Sequence, residues 1–536
     1  MVLRFSRASL ALATKAAKYT ARAGVMAVAI STTVASTAVH SSDTPSGMSD
    51  YQRWLASTQQ DFQNYLDEND KAFIGFLKQR WESVDTQAGQ SADNAPKPDT
   101  MPVAPPVAAP VETPVEAPIK APIETPVTDP VVVVTPLPET PKPKLPAPQT
   151  PEPQTPEPQA PENRTPTSQQ PQSKEPSVTL AFYGHRLSVP FNNTMTRRQR
   201  GRISPDSIAS GWEALARSEY QTTQTALENT RNILALSDWA TARLVADFSR
   251  ATAPDTRSRT LLSWFLLVKM GYDARLAYNN DLYLLMPADD DVFGVTYFTL
   301  KGTRYYALPI DGKVTIAGSV YTYKKQHETA ATPVRFQPPE TFTAAGTHID
   351  KSLTFQHHGQ EIQVAVSYPA AQVEYLNTLP QLALPRYPVI AMPEDTRQAL
   401  AAQLTPLLTG QTEEAAVNTL LNFVQNAFAY QTDDEQFREE NYLFPLETLH
   451  YRASDCEDRA ALFSQLVHDL LGLPVVLLDY PGHVAAAVAF STQVPGDALV
   501  YNGRQYTVTD PTYINARAGM TMPEYAGKTA DVVEIF

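Results

Sequence analysis

The chain contains one cysteine, and residues near it and after it could form a nucleophilic site. Cys456 lies in "YRASDCEDRAALFSQLVHDLLG", His483 begins "HVAAAVAF", and Asp510 lies in "YTVTDPTY". A thiol becomes a strong nucleophile when a base or a positive charge stabilises its anion, and a carboxylate behind an imidazole fixes the tautomer of that imidazole. The types and the order of these three residues therefore predict thiolate chemistry assisted by a histidine.

The sequence around Cys456 predicts the start of a helix. Ser454 and Glu457 fit the S-x-x-E capping box, so Cys456 is expected in the first turn, where unpaired N–H groups and the helix dipole favour a thiolate. Gly472 is predicted to end this helix as its C-terminal capping glycine. The face of the helix that carries Cys456 is expected to point towards the core, because it continues through Ala460, Phe463, Val467 and Leu470.

Three strands are predicted after this helix. The segment "PVVLLDY" (474–480) reads as a buried strand, "PG" as a turn, and "HVAAAVAF" as the next strand. A third strand follows, with Asp510 near its end. This arrangement predicts that the sheet carries His483 and Asp510 on neighbouring strands, beside the helix that begins at the cysteine.

Acidic residues next to the cysteine act against a thiolate. Asp455, Glu457 and Asp458 are expected to raise the pKa of the Cys456 thiol by like-charge repulsion. A nearby imidazolium can offset this repulsion, so the prediction of a reactive thiolate at Cys456 depends on His483.

These motifs resemble the transglutaminase-like superfamily, a papain-related fold with Cys, His and Asp in that order. The resemblance rests on "DCEDRAALF", "GH", "DPTY" and the upstream block "FPLETL" (444–449), and it covers about residues 340–536. It implies that Cys456 is the nucleophile, His483 the base and Asp510 the orienting residue, with the backbone N–H of Cys456 as one oxyanion donor. Members include protein-crosslinking acyltransferases, cysteine proteases and amide-cleaving hydrolases.

An internal repeat predicts a second domain of the same kind. The segment 179–191 aligns with 354–366, which places Gly184 on Gly359, and 260–278 aligns with 461–479. Each copy reads as a strand pair, then helices, then three strands. The predicted fold class is therefore α+β, with two papain-like domains at 177–340 and 341–536; chance similarity of amphipathic stretches is the alternative.

The first copy lacks the reactive side chains. Gly271 aligns with Gly472, and Gly302 aligns with Gly503 where 300–308 matches 501–509, both at an offset of 201 residues. By this offset Cys456 falls on Asp255, His483 on Leu282 and Asp510 on Pro309. The region 177–340 is therefore predicted to be a degenerate copy, retained for packing or for binding.

The region before the repeats divides into three parts. Residues 1–38 have a basic lead followed by small and apolar residues, which predicts a signal peptide or membrane anchor; a mitochondrial-type presequence is the alternative. Residues 39–95 contain an amphipathic helical segment, read at 49–85, that docks on a partner, on a membrane surface or on the protein's own domains. Residues 96–176 are proline-rich and predict a disordered linker in polyproline II conformation.

Composition excludes several other functions. The 536 residues include 46 prolines and carry a formal net charge of −14, which argues against nucleic acid as a partner. A single cysteine excludes an intramolecular disulfide and a multi-cysteine zinc site. No cofactor and no metal ligand set are predicted.

The sequence thus predicts an exported enzyme, periplasmic or anchored in the cell envelope. Its partner would be a peptide or protein amide substrate, such as one of the cell envelope, with membrane contact through residues 1–85. The predicted reaction is acyl transfer through a thioester on Cys456. The competing hypothesis is an inactive scaffold or a peptide- or glycan-binding protein, which the change from the family's glycines to Arg452 and Ser454 favours.

Overall fold

The structure is a computed structural model with a mixed α/β architecture. It describes residues 68–89, 102–105, 176–337, 342, 344–390 and 392–536. The predicted signal (1–38), part of the helical segment and most of the predicted linker lie outside these ranges. Residues Asp70–Phe536 form one compact unit.

The first half of this unit begins with helical residues 70–77, which are followed by a short strand, a hairpin and four helices. Its strands are β1 (Glu82–Asp85), β2 (Ser177–Phe182), β3 (His185–Pro190), β4 (Arg275–Tyr278), β5 (Leu282–Leu285), β6 (Tyr297–Leu300), β7 (Thr303–Tyr306) and β8 (Ser319–Thr322). Its helices are α1 (Pro205–Ala216), α2 (Tyr220–Ile233), α3 (Asp238–Thr252) and α4 (Thr256–Lys269).

The second half repeats the order of hairpin, helices and strands. Its strands are β9 (His348–His357), β10 (Gln360–Pro369), β11 (Ala429–Tyr430), β12 (Ala453–Ser454), β13 (Val475–Tyr480), β14 (His483–Val488), β15 (Ala498–Tyr501), β16 (Arg504–Thr509) and β17 (Asp531–Glu534). Its helices are α5 (Ala370–Leu376), α6 (Glu394–Leu408), α7 (Glu413–Asn426), α8 (Asp433–Gln436), α9 (Pro445–His450) and α10 (Cys456–Leu471).

Three strands in the main sheet of each half have a corresponding order. The first sheet runs β1-β8-β4-β5, and the second runs β15-β16-β14-β13-β17. In both, the strand after the long helix (β4 or β13) lies between the following strand and a late strand (β8 or β17). The expectation of three strands after the helices is wrong, because each half has five. The late strands were missed because they are four residues long and partly exposed, so their apolar pattern is weak.

The helix predicted over 49–85 ends earlier. Helical structure stops at Leu77, and residues 82–85 form β1, which pairs antiparallel with β8. Phe73, Leu77 and Trp81 are buried in the core of the compact unit. From Asp70 onwards, therefore, this segment packs against the protein's own domain. No helix within the described ranges has the length and apolar character needed to cross a bilayer.

The second sheet is buried on both faces. In β13, Val475 and Leu477 belong to the main core, whereas Val476 and Leu478 belong to a separate apolar cluster on the opposite face. Helix α10 covers the first face, and the irregular segment after Asp510 supplies residues to the second. Burial on both faces explains why β13 reads as an uninterrupted apolar run.

A pair of aligned glycines tests the packing of the two hairpins. Gly184 and Gly359 both have a positive φ, of 81° and 75°. A Cβ on Gly184 would overlap the carbonyl group of Ala345, whereas a Cβ on Gly359 would meet no atom within 4 Å. We expect Gly359→Ala to lower the free energy of unfolding by about 1–2 kcal/mol, the strain of the left-handed conformation. Gly184→Ala should cost about 1–3 kcal/mol more. Urea unfolding measures the free energy of unfolding of both variants. Equal losses of stability would contradict the close packing of Gly184 against Ala345.

Candidate active site

Helix α10 begins one residue later than the sequence suggests. Its N-cap is Asp455, whose N–H donates to Asp458 Oδ2 at 3.3 Å, so the predicted Ser454–Glu457 capping box is wrong. Ser454 cannot cap the helix because it pairs with Tyr430 in the short parallel ladder of β11 and β12. Cys456 is consequently the first helical residue, where its N–H has no acceptor within the helix. Gly472, with a φ of 65°, ends the helix as predicted.

Two of the three predicted site residues are hydrogen-bonded to each other. His483 begins β14, Asp510 follows β16 directly, and these two strands pair antiparallel. The distance from His483 Nε2 to Asp510 Oδ2 is 2.8 Å. An ionised carboxylate can only accept, so Nε2 carries the hydrogen and Nδ1 is left with the lone pair that a base needs.

The other carboxylate oxygen of Asp510 organises the turn that follows. Asp510 Oδ1 accepts the N–H groups of Thr512 and Tyr513, at 2.9 and 3.2 Å. Because both oxygens are engaged, the carboxylate is held in one orientation towards the imidazole.

The histidine and the cysteine are both enclosed. His483 is 1% exposed and Cys456 is 0% exposed. The ring of Tyr525 stacks on the imidazole, with centroids 4.7 Å apart and an interplanar angle of 28°. Within the described residues, the buried Nδ1 of His483 has no hydrogen-bond partner. The sulfur–imidazole hydrogen bond of an assembled Cys-His pair is therefore not formed in this structure.

The sulfur of Cys456 contacts a carboxylate. Cys456 Sγ lies 3.0 Å from Glu457 Oε2, with the thiol as donor. A hydrogen bond from the thiol to a carboxylate stabilises the neutral thiol over the thiolate.

A group of buried carboxyl groups surrounds the start of α10. Oxygens of Asp433, Asp455 and Glu457 lie within 4.8 Å of one another, a type of donor set that hard cations such as Ca²⁺ accept. Burial, reinforced by neighbouring carboxylates, raises the pKa of Asp458 well above its ordinary value. Asp433 was missed by the sequence analysis because it lies on a separate short helix, more than 20 residues before Cys456.

Arg459 supplies the positive charge beside this group. Its guanidinium is fully buried and donates to the carbonyl oxygens of Gln425, Phe428 and Ala429, and to Ser454 Oγ. Burial lowers the pKa of Arg459 to about 10, so the group stays charged at neutral pH. The sequence indicated this contact only through spacing, because Arg459 lies three residues after Cys456 and therefore about one turn along the same helix.

Gln425 connects the cysteine helix to the loop that carries Asp510. Its carbonyl oxygen accepts from Arg459, and its side-chain Nε2 donates to the carbonyl oxygens of Asp510, Tyr513 and Ala516. The side chain is 2% exposed. No local pattern indicates this role, because a glutamine in an amphipathic helix normally faces water.

Comparison with known proteins supports the family resemblance. Residues 397–516, which include Cys456, His483 and Asp510, match the sequence model of a family described as "Transglutaminase-like domain". The chain therefore carries a transglutaminase-like domain, as its motifs predicted. The comparison with curated proteins gave no match.

A search of solved structures returned a candidate protease from Parabacteroides distasonis. It is 12% identical, and the match covers 46% of this chain and 43% of that one, with a TM-score of 0.17. The chain thus matches less than half of that protein, and the TM-score is too low to establish a shared fold.

The buried carboxyl group of Glu447, in "FPLETL", predicts a pH-dependent stability. Its Oε2 accepts the N–H of Phe444 at 3.0 Å, and burial raises its pKa to about 8 from an ordinary 4.5. The folded state holds this proton more tightly, so the stabilisation is complete below about pH 4.5 and is lost as the pH rises through about 8. We expect Glu447→Gln, which retains a neutral acceptor for Phe444, to lose less stability than the wild type between pH 5 and pH 8.5.

Thermal unfolding midpoints across this range measure the effect. Glu361→Gln, an exposed carboxylate on β10, is the matched control and should follow the wild type. An unchanged pH dependence in Glu447→Gln would refute the assignment of a buried, protonated carboxyl group.

Proposed function

We propose that this chain is an exported transglutaminase-like cysteine enzyme that acts on amide bonds through a thioester. The observation that carries the proposal is the 2.8 Å bond between His483 Nε2 and Asp510 Oδ2, which leaves Nδ1 as a base within the matched domain. Water would resolve the thioester in a protease or amidase, and an amine would resolve it in an acyltransferase.

The steps follow from the positions of the donors. His483 Nδ1 accepts the proton of the Cys456 thiol, and the sulfur attacks the amide carbonyl carbon. The N–H of Cys456, at the start of α10, donates to the oxyanion. The imidazolium then protonates the departing amine as the C–N bond breaks, which leaves a thioester on Cys456. An incoming water or amine passes its proton to Nδ1 as it attacks the thioester carbon; the C–S bond then breaks and the proton returns to the sulfur.

Catalysis requires a rearrangement of the resting structure. The thiol must leave Glu457, and a substrate must reach two groups that are at most 1% exposed. Tyr525, which lies over the imidazole, belongs to the irregular segment after Asp510. We therefore propose that displacement of this segment admits the substrate.

We propose that residues 177–340 are a degenerate copy of the same domain. The support is the matching order of three strands and the equivalent helix starts: Asp255 caps α4 as Asp455 caps α10. By these helix starts Cys456 corresponds to Thr256, so the sequence alignment that placed it on Asp255 is wrong by one residue. Asp255 bonds to Arg198 and to the N–H of Ser258, which is a structural role. Leu282 begins β5, as His483 begins β14, so the first copy has no imidazole at this place.

The proposal also includes export, a periplasmic or envelope location and an envelope substrate. They rest on the sequence of residues 1–38 and on the proline-rich region, which lie largely outside the described residues. The mass of the N-terminal peptide in fractionated cells tests cleavage of the signal.

An inactive binding or scaffold protein is the second candidate. The enclosed sulfur, its bond to Glu457 and the unformed sulfur–imidazole hydrogen bond favour it. The two candidates differ in whether His483 controls the reactivity of Cys456.

Alkylation separates the candidates, because label on the only cysteine reports on Cys456 alone. An ordinary thiol with a pKa near 8.5 is mostly protonated at pH 6 and labels slowly, so fast labelling there indicates a thiolate that a neighbouring positive charge stabilises. We expect His483→Ala to slow iodoacetamide labelling at pH 6 by roughly 10-fold or more. His468→Ala, which removes an exposed histidine, should label like the wild type. Equal rates in all three proteins would favour the binding candidate.

A second prediction concerns the tautomer of His483. In Asp510→Asn, the amide oxygen can still accept from Thr512 and Tyr513, but the NH₂ group must face His483 Nε2, which moves the imidazole hydrogen to Nδ1. We expect acylation of Cys456 by p-nitrophenyl acetate to fall by on the order of 10³ to 10⁴-fold, with a nearly unchanged unfolding midpoint. Stopped-flow release of p-nitrophenol measures the rate. Retention of the wild-type rate would exclude the assigned proton acceptor.

A further inference from the structure

A short piece of the proline-rich region lies against the loop that follows Asp510. Residues 102–105, with the sequence Pro-Val-Ala-Pro, contradict the prediction of a wholly disordered linker, because Val103 pairs with Ile514 in a parallel bridge. The N–H of Ala104 donates to the carbonyl oxygen of Ile514 at 2.7 Å, and the N–H of Ile514 donates to that of Pro102 at 2.9 Å. These two bonds form an isolated parallel bridge between an extended peptide and the irregular segment after Asp510.

The two central side chains point in opposite directions. Val103 is 63% exposed, whereas Ala104 is 4% exposed and belongs to the apolar cluster on the second face of the sheet. That cluster includes Tyr513, Met522 and Tyr525. The site therefore selects a small apolar residue at the position of Ala104 and accepts other residues at the position of Val103.

The flanking prolines fit this mode of binding. Pro102 contributes only its carbonyl group, which is the group that Ile514 uses. Proline fixes φ in the extended range, so the peptide loses little conformational entropy when it binds. The two bonds to Ile514 use the carbonyl oxygen of Pro102 and the N–H of Ala104, so neither of them requires a donor from proline.

We propose that this surface is a binding site for an extended Pro-Val-Ala-Pro peptide and that residues 102–105 of the same chain are its resident occupant. The tripeptide Pro-Val-Ala recurs at 106–108, which makes it a second segment of matching chemistry. At 114–116 the sequence is Pro-Val-Glu, and the carboxylate would fall on the buried position. The site thus discriminates between segments of the same linker.

The contacts suit an intramolecular ligand that a free peptide can replace. Two backbone hydrogen bonds and one buried alanine methyl group make a weak contact. Such a ligand is retained in cis because its effective concentration is in the millimolar range. The proposal depends on these contacts alone and is independent of the reaction at Cys456.

Hydrogen exchange at the amide of Ile514 tests the site in the full chain. We expect Ala104→Glu/Ala108→Glu, which removes both Pro-Val-Ala segments, to raise the exchange rate of this amide by roughly 10-fold or more. Val103→Glu/Val107→Glu adds the same charge at the outward-facing position and should leave the rate unchanged. The peptide Met-Pro-Val-Ala-Pro-Pro-Val should restore protection in the Ala104→Glu/Ala108→Glu protein.

Three results would overturn the proposal. The first is an Ile514 amide that exchanges at the same rate in the wild type and in both double variants. The second is loss of protection in the Val103→Glu/Val107→Glu protein, which would show a general effect of charge. The third is equal restoration of protection by a peptide with glutamate in place of alanine, which would exclude selection at the buried position.

Discussion

The buried network around Gln425 is the constraint on which the geometry of the site depends. Through its backbone oxygen this residue accepts from Arg459 on the cysteine helix, and through its side chain it holds three carbonyl groups of the loop after β16. A buried polar group without a partner costs several times more than one hydrogen bond contributes, so all members of the network must be satisfied together. The thiol and the carboxylate are thus positioned by one residue that takes no part in the chemistry.

Electrostatics decides whether this geometry is reactive. Two charges 4 Å apart interact with about 4 kcal/mol at an effective dielectric constant of 20. A thiolate on Cys456 would face Glu457 at a shorter distance, 3.0 Å. The helix dipole offers at most about 2 kcal/mol in a partly buried site. The helix dipole therefore cannot by itself ionise the thiol. Activation requires a neighbouring positive charge, from the imidazolium of His483 or the guanidinium of Arg459, or neutralisation of Glu457.

The sequence allowed the local elements to be predicted better than the contacts between distant ones. The start of β14 at His483, the end of α10 at Gly472 and the neighbouring strands of His483 and Asp510 follow from periodicity and turn residues. The capping of α10 was mispredicted because the ladder between Tyr430 and Ser454 is a tertiary contact. Gln425 and Asp433 were missed for the same reason. Their importance arises only when separate helices meet, and neither belongs to a local pattern.

The segment after Asp510 joins the chemistry to the peptide site. Asp510 orients the imidazole, Ile514 binds the resident peptide, and Tyr525 lies over His483. Ala104 and Tyr525 belong to the same apolar cluster, so withdrawal of the peptide exposes part of the surface against which the segment packs. If substrate entry displaces this segment, binding of the peptide and binding of the substrate are linked, and each changes the affinity for the other by the same factor. The docked linker then stabilises the closed arrangement, in which the imidazole is covered and the thiol remains on Glu457.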